Sequence, residues 1–171
     1  MIQKKKLILE VSFVGVILLL TSFSVFASAE DESKYNQVTI KYTFEMPVIE
    51  NVDMGSIVYD RVIMEGFPNS NNPGEPCLPV SGAYILIPQG TDISEIRVTP
   101  EEMVCLGSGF NVEPAGETVF LSEMSSTHMP IPDEEIYGSA DMFPGELFTK
   151  VGTYSFRGYD ILILKLHPVQ Y

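Results

Sequence analysis

Basic residues are scarce in this chain. Ten Lys and Arg stand against 23 Asp and Glu in 171 residues. Such a surface repels nucleic acid and anionic lipid, so neither is expected as a partner. It suits a basic partner surface or divalent cations, and it also serves solubility outside a cell. Histidine and cysteine are equally sparse, with two of each: His128, His167, Cys77 and Cys105. Nucleophilic catalysis needs a hydroxyl or thiol beside a base that a third group orients. Neither histidine lies in a nucleophile motif, no G-x-S-x-G occurs, and Cys105 with His128 lacks an orienting partner in sequence. No catalytic residue is therefore assigned. The Cys and His spacings match no zinc module. There is no phosphate-binding glycine loop, and no D-x-D-x-D calcium run. The adjacent carboxylates Glu101-Glu102 and Asp133-Glu134-Glu135 read as solvated loop charge. No metal and no cofactor is expected.

Helix signals are also lacking. Beyond residue 29 the only alanines are Ala83, Ala115 and Ala140, whereas all twelve prolines lie there. Alanine is the best helix former and proline the worst. No stretch keeps an i, i+3, i+4, i+7 apolar pattern for three turns.

One long apolar run is present, at the N-terminus. Lys4, Lys5 and Lys6 precede Val11 to Phe26, and Ala27-Ser28-Ala29 supplies a small-x-small cleavage site. This is the pattern of a secretory signal peptide. The run is shorter than the ~20 residues that a spanning helix needs. No cysteine follows it to carry a lipid. Cleavage after Ala29 would take away three Lys and one Glu. It leaves 142 of the 171 residues, with seven basic and twenty-two acidic side chains, a net charge of −15. That length suits one domain, secreted or held in the cell envelope, with no membrane attachment after cleavage.

Strand signals fill the remainder. Val38, Ile40, Tyr42 and Phe44 alternate with polar residues up to Pro47. Ile57 to Met64 is β-branched. Gly66 to Pro76 is a polar loop. Gly82 to Ile87 is nearly continuous in apolar character and is expected to be covered on both faces. Ile93, Ile96 and Val98 form a strand that Pro100 should break. Met103 to Leu106, Val112 to Pro114 and Val119 to Leu121 are weaker signals. Ser122 to Glu146 is a long aperiodic stretch, and Asp160 to Leu166 is a last strand. Seven or eight short strands with Pro/Gly corners predict an all-β, β-sandwich-like single domain over residues 30–171. Cys77 and Cys105 could form a disulfide, worth about 3 kcal/mol in the chain-entropy model. Two free thiols are the equal alternative.

Several separated motifs share one resemblance. Gly74-Glu75-Pro76-Cys77-Leu78-Pro79-Val80 leads into an apolar strand that ends at Pro88-Gln89-Gly90-Thr91. Ile136-Tyr137-Gly138-Ser139-Ala140-Asp141-Met142-Phe143-Pro144-Gly145-Glu146-Leu147 follows, then Phe156-Arg157-Gly158-Tyr159, then His167-Pro168-Val169-Gln170-Tyr171. In order and spacing these resemble the N-terminal propeptide domain of gingipain-type (C25) cysteine peptidases. The motif positions that carry the resemblance are Gly74, Glu75, Pro76, Leu78, Pro79, Val80, Arg157, Gly158, Pro168, Gln170 and Tyr171. The family commonly has a small apolar residue at position 77, so a fold-defining bridge is not implied.

The resemblance implies a non-catalytic, exported prodomain that assists peptidase folding and keeps the enzyme latent. Its partner is a gingipain-like catalytic domain, in cis or in trans. For an enzyme that cuts after Arg or Lys, the blocking residue would be basic, and Lys150 and Arg157 are the candidates. The family's catalytic domain would follow Tyr171, so a fragment of a longer precursor is one expectation. A free-standing secreted or cell-surface β-sandwich, used for binding or spacing, is the other.

Overall fold

A computed structural model describes residues 2–14, 35–117 and 129–171. The cleavage-site residues Ala27 and Ala29, His128, and the strand signal at 119–121 lie outside the described residues. The fold is all-β, as the strand signals predict.

Among the described residues nine strands form three antiparallel sheets. In the first, β1 (Ile2–Val14) lies between β2 (Tyr35–Tyr42) and β6 (Asp92–Gly107), and the short β9 (Val169–Gln170) also pairs with β1. The segment read as the start of a leader is therefore a central strand of the uncleaved chain. Across its ladder, Lys41 on β2 reaches Glu101 on β6, with Nζ 2.8 Å from Oε1. The second sheet is the hairpin β3 (Val48–Asp53) and β4 (Val58–Ile63). The third has the order β5 (Ser81–Ile87), β8 (Tyr159–Leu166), β7 (Phe148–Phe156). The one described helix, α1 (Glu134–Tyr137), is a single turn capped by Asp133, whose side chain accepts from the backbone N–H of Glu135.

The core gathers Phe44, Val62, Met64, Leu78, Ala83, Ile85, Ile87, Val112, Leu162, Leu164, Leu166 and Val169. Ile40 of β2 and Ile93, Ile96 and Val98 of β6 pack against it from the first sheet. Alternation along β8 explains its central place, because Leu162, Leu164 and Leu166 are all fully buried. Each contributes roughly 1.5–3 kcal/mol of burial.

The structure corrects two of the sequence expectations. Gly82 to Ile87 is covered on one face only: Ser81, Ala83, Ile85 and Ile87 point inward, while Tyr84 and Leu86 point out. The strand ends its sheet rather than lying inside it. Pro100 does not break β6. It sits opposite Leu7 beside a register shift between Lys6 and Leu7, where the ladder is already irregular and the missing N–H is tolerated. Within the aperiodic stretch the only described element is the single turn α1, and the Phe143-Pro144 peptide bond is cis.

Candidate functional site

The Gly74-Glu75-Pro76 corner is stitched to two other segments by main chain. Gly74 N–H donates to Ala115 O and Ala115 N–H donates to Glu75 O, at 2.9 and 2.8 Å. Cys77 N–H donates to Glu113 O, and Asp133 N–H donates to Gly74 O. Gly74 has φ +83, and a side chain there would meet Ile131 O at 3.2 Å. The motif thus needs glycine for its backbone sign and for the close pass of a neighbouring strand of chain. Leu78 then enters the core, while Pro76 and Pro79 are buried. Arg61 on β4 clamps Glu113 through two bonds, Nε–Oε2 at 2.5 Å and Nη2–Oε1 at 2.7 Å. This pairing raises the Arg61 pKa above its ordinary value, with burial opposing.

The terminal motif closes the same end of the molecule. Phe143 and Tyr171 exchange both backbone hydrogen bonds, at 2.8 and 2.7 Å. Gln170 is buried and donates through Nε2 to Pro144 O. Tyr171 Oη donates to Phe110 O and Tyr137 Oη to Val112 O. The two tyrosine rings stand 5.7 Å apart. Burial pushes both phenols up, so they stay protonated donors. A cleft of about 340 Å³ opens beside them, lined by Phe110, Ile136, Tyr137, Asp141 and Tyr171 among others. A smaller cavity, about 190 Å³, lies between the corner and β8, with Glu75, Thr149, Lys165 and His167 on its wall.

Thr149 Oγ1 and His167 Nε2 are 3.0 Å apart in that second cavity. Burial and the nearby Lys165 push His167 down to about 4. An imidazole that holds its proton so weakly is a poor general base near neutral pH. Among the described residues no three His, Cys, Asp or Glu side chains are placed to hold a metal ion.

The two candidate basic residues are presented differently. Phe156 pairs with Tyr159, so Arg157 and Gly158 form the two-residue turn of the β7–β8 hairpin. Their φ values are +51 and +80, the signature of a type I′ turn. Arg157 is exposed, and its guanidinium carbon stands 5.1 Å from the Phe156 ring centroid. A non-glycine residue held at positive φ on an exposed tip is a functional candidate by its geometry. Lys150 instead lies on β7 opposite Leu164, next to the irregularity between Lys150 and Gly152. Cys77 and Cys105 are both free thiols. Cys77 donates to Ser70 O at 3.4 Å, whereas Cys105 is exposed on β6, so the structure holds no bridge between them.

The family model Propeptide_C25 matches residues 25–171. The chain belongs to the C25 propeptide family. It is a prodomain and not a catalytic domain. Among solved structures, the chain is similar to one from the complex of Porphyromonas gingivalis RgpB pro- and mature domains. Identity there is 15%, the TM-score is 0.51, and the match covers 76% of this chain and 67% of that one. No curated protein sequence matches the chain. In this C25 propeptide the family-motif residues are mainly fasteners. Gly74, Glu75, Gln170 and Tyr171 join segments distant in sequence, while Leu78 fills the core. Only Arg157-Gly158 stands clear of the fold.

Sequence reasoning missed Glu113, Ala115 and Asp133, the partners of the corner. Side-chain type gives no sign of them, because the bonds to the corner run through their backbones.

Proposed function

We propose that this C25 propeptide is exported by its first 29 residues and then serves a gingipain-like cysteine peptidase as folding aid and latency inhibitor. The supporting observation is the family match over nearly the whole chain after the apolar run, together with the propeptide fold. A prodomain can block a peptidase by placing one side chain in the specificity pocket. Of the two basic candidates, Arg157 suits this better than Lys150. The type I′ turn fixes its backbone at an exposed tip, so little backbone entropy is lost on insertion. The pocket it fits is acidic, that of an enzyme cutting after Arg.

The test is inhibition in trans. Residues 30–171, added in excess to a C25 catalytic domain with arginine specificity, should abolish its activity. Arg157→Ala should relieve inhibition while leaving the melting temperature within a few degrees. Undiminished activity with wild-type domain would sink the inhibitor role. N-terminal sequencing of the exported protein should begin at Glu30, and a retained Met1 would overturn the leader assignment.

A further inference from the structure

The outer face of the β5-β8-β7 sheet carries side chains that a solvated surface does not need. Inward positions on β5 and β8 are core, so the outward set follows from register. Gly82, Lys165 and Thr149 form one row, and Tyr84, Ile163 and Gly152 the next. Leu86, Ile161 and Tyr154 form a third, and Tyr159 and Phe156 close the hairpin end. Tyr84 is 71% exposed, Leu86 60%, Phe156 61% and Tyr159 60%. Seven large apolar or aromatic side chains thus share one face, and none of the paired positions named on it is acidic. A contiguous exposed apolar patch of this kind marks an interaction surface.

Charge sorts the same way. Lys41, Arg61 and Arg97 each sit in an ion pair with a glutamate. Arg157 and Lys165 have no carboxylate partner among the described residues, Arg157 at the tip of the β7–β8 hairpin and Lys165 in the first outward row. In a chain this acidic, cations without an ion pair beside an apolar face whose paired rows hold no acid are complementary to something outside the chain. A second copy is a poor fit, since two strongly negative surfaces repel.

We infer that this sheet face is the surface on which the peptidase domain seats, offering an apolar patch whose rim carries carboxylates. The inference rests on the propeptide reading above and adds the surface and its chemistry. Lys165 marks one end of the contact and Arg157 the other. Aromatic and aliphatic anchors between them exclude water, which strengthens both charge contacts.

The experiment measures binding of the full chain to each purified C25 catalytic domain that the source organism encodes. Three variants are compared: Leu86→Ser with Phe156→Ser, Lys165→Glu, and Met46→Ser as an exposed apolar control on the β2–β3 connection. All these positions are exposed or half-buried, so circular dichroism and melting should match wild type. The expected result is loss of affinity by about tenfold or more for the first variant. For Lys165→Glu the expectation is a weaker complex with a flatter salt dependence. Met46→Ser should bind like wild type. Wild-type binding with equal binding by the face variants overturns this inference and leaves the propeptide reading standing. Face variants that alter self-association but not peptidase binding overturn it too, in favour of a second copy. No binding of wild type to any of the domains overturns the propeptide reading and this inference with it.

Discussion

The far edge of the Tyr84 ring covers Gly82: a methyl group on Gly82 would stand 2.9 Å from Tyr84 Cε2. Tyr154 does the same to Gly152, two residues back on β7. Each tyrosine shields a glycine that would otherwise leave its strand backbone bare. Gly82→Ala should push the exposed Tyr84 ring outward at little cost, under about 1 kcal/mol. Gly74→Ala meets a carbonyl and a positive φ instead, and should cost about 1–2 kcal/mol or more. Chemical denaturation of both variants checks the contrast. An equal loss at both sites would mean that Tyr84 is held rather than free to move.

Arg61 and Glu113 tie β4 to the segment that pairs with the Gly-Glu-Pro corner. The carboxylate is mostly buried, with 12% side-chain exposure, although the guanidinium is 41% exposed. Truncating Arg61 to Ala leaves that carboxylate without its fork. The expected loss is about 1–2 kcal/mol, above the usual surface pair but short of a fully buried one. A double-mutant cycle with Glu113→Gln should return most of that as coupling.

His167 gives the fold an acid sensitivity of its own. Its pKa is pushed down to about 4 from an ordinary 6.5, chiefly by burial. The unfolded chain therefore binds a proton that the native state refuses between those values. The stability due to neutral His167 is complete above pH 6.5 and drains away as pH falls toward 4. His167→Gln should flatten the difference in stability between pH 7 and pH 4.5. A wild-type imidazole titrating near 6.5 by NMR would contradict the burial argument.

The two thiols should label at different rates. Cys105 is exposed, whereas Cys77 is half-buried and burial pushes its pKa up. A maleimide or disulfide reagent at neutral pH should modify one thiol quickly and the second only as the domain opens. A chain with no titratable thiol before reduction would mean that the pair is oxidised.

Leu164 and Leu86 test the one-sidedness of the third sheet. Leu164→Ala should cost about 2–5 kcal/mol, while Leu86→Ala should stay within about 0.5 kcal/mol. Urea titration of the two variants decides it.

Much of the fold was legible in the sequence because period-two alternation and Pro/Gly corners are local signals. The β2, β4 and β8 stretches carry both. The third sheet shows where local signals stop. Tyr84 and Leu86 extend the apolar character of β5, yet they face outward. An apolar run does not say which of its faces is covered; the residues that cover one face of β5, Phe44, Val62 and Met64 among them, come from segments distant in sequence. Val48–Asp53 escaped notice because its apolar residues are interleaved with Glu50, Asn51 and Asp53. Its pairing with β4, not its composition, makes it a strand. At the candidate site the corner and the closing tyrosine were visible as motifs, but their partners bond through main chain and leave no trace in residue type. Arg157 was visible only as a scarce cation. Its conformation at a two-residue turn came from the register of the hairpin.

The place of β1 has a consequence for the order of events in the cell. Ile2–Val14 is hydrogen-bonded to β2 along half its length and to β6 along nearly all of it. A segment zipped into a sheet is not available to export machinery, so under the proposed export by the first 29 residues a chain that folded beforehand would conceal its own address. The proposed cleavage would leave β2 and β6 one strand position apart, about 10 Å, with the Lys41–Glu101 ion pair reaching across the gap. Under that proposal, timing decides whether the same thirteen residues are a postal code or a building element.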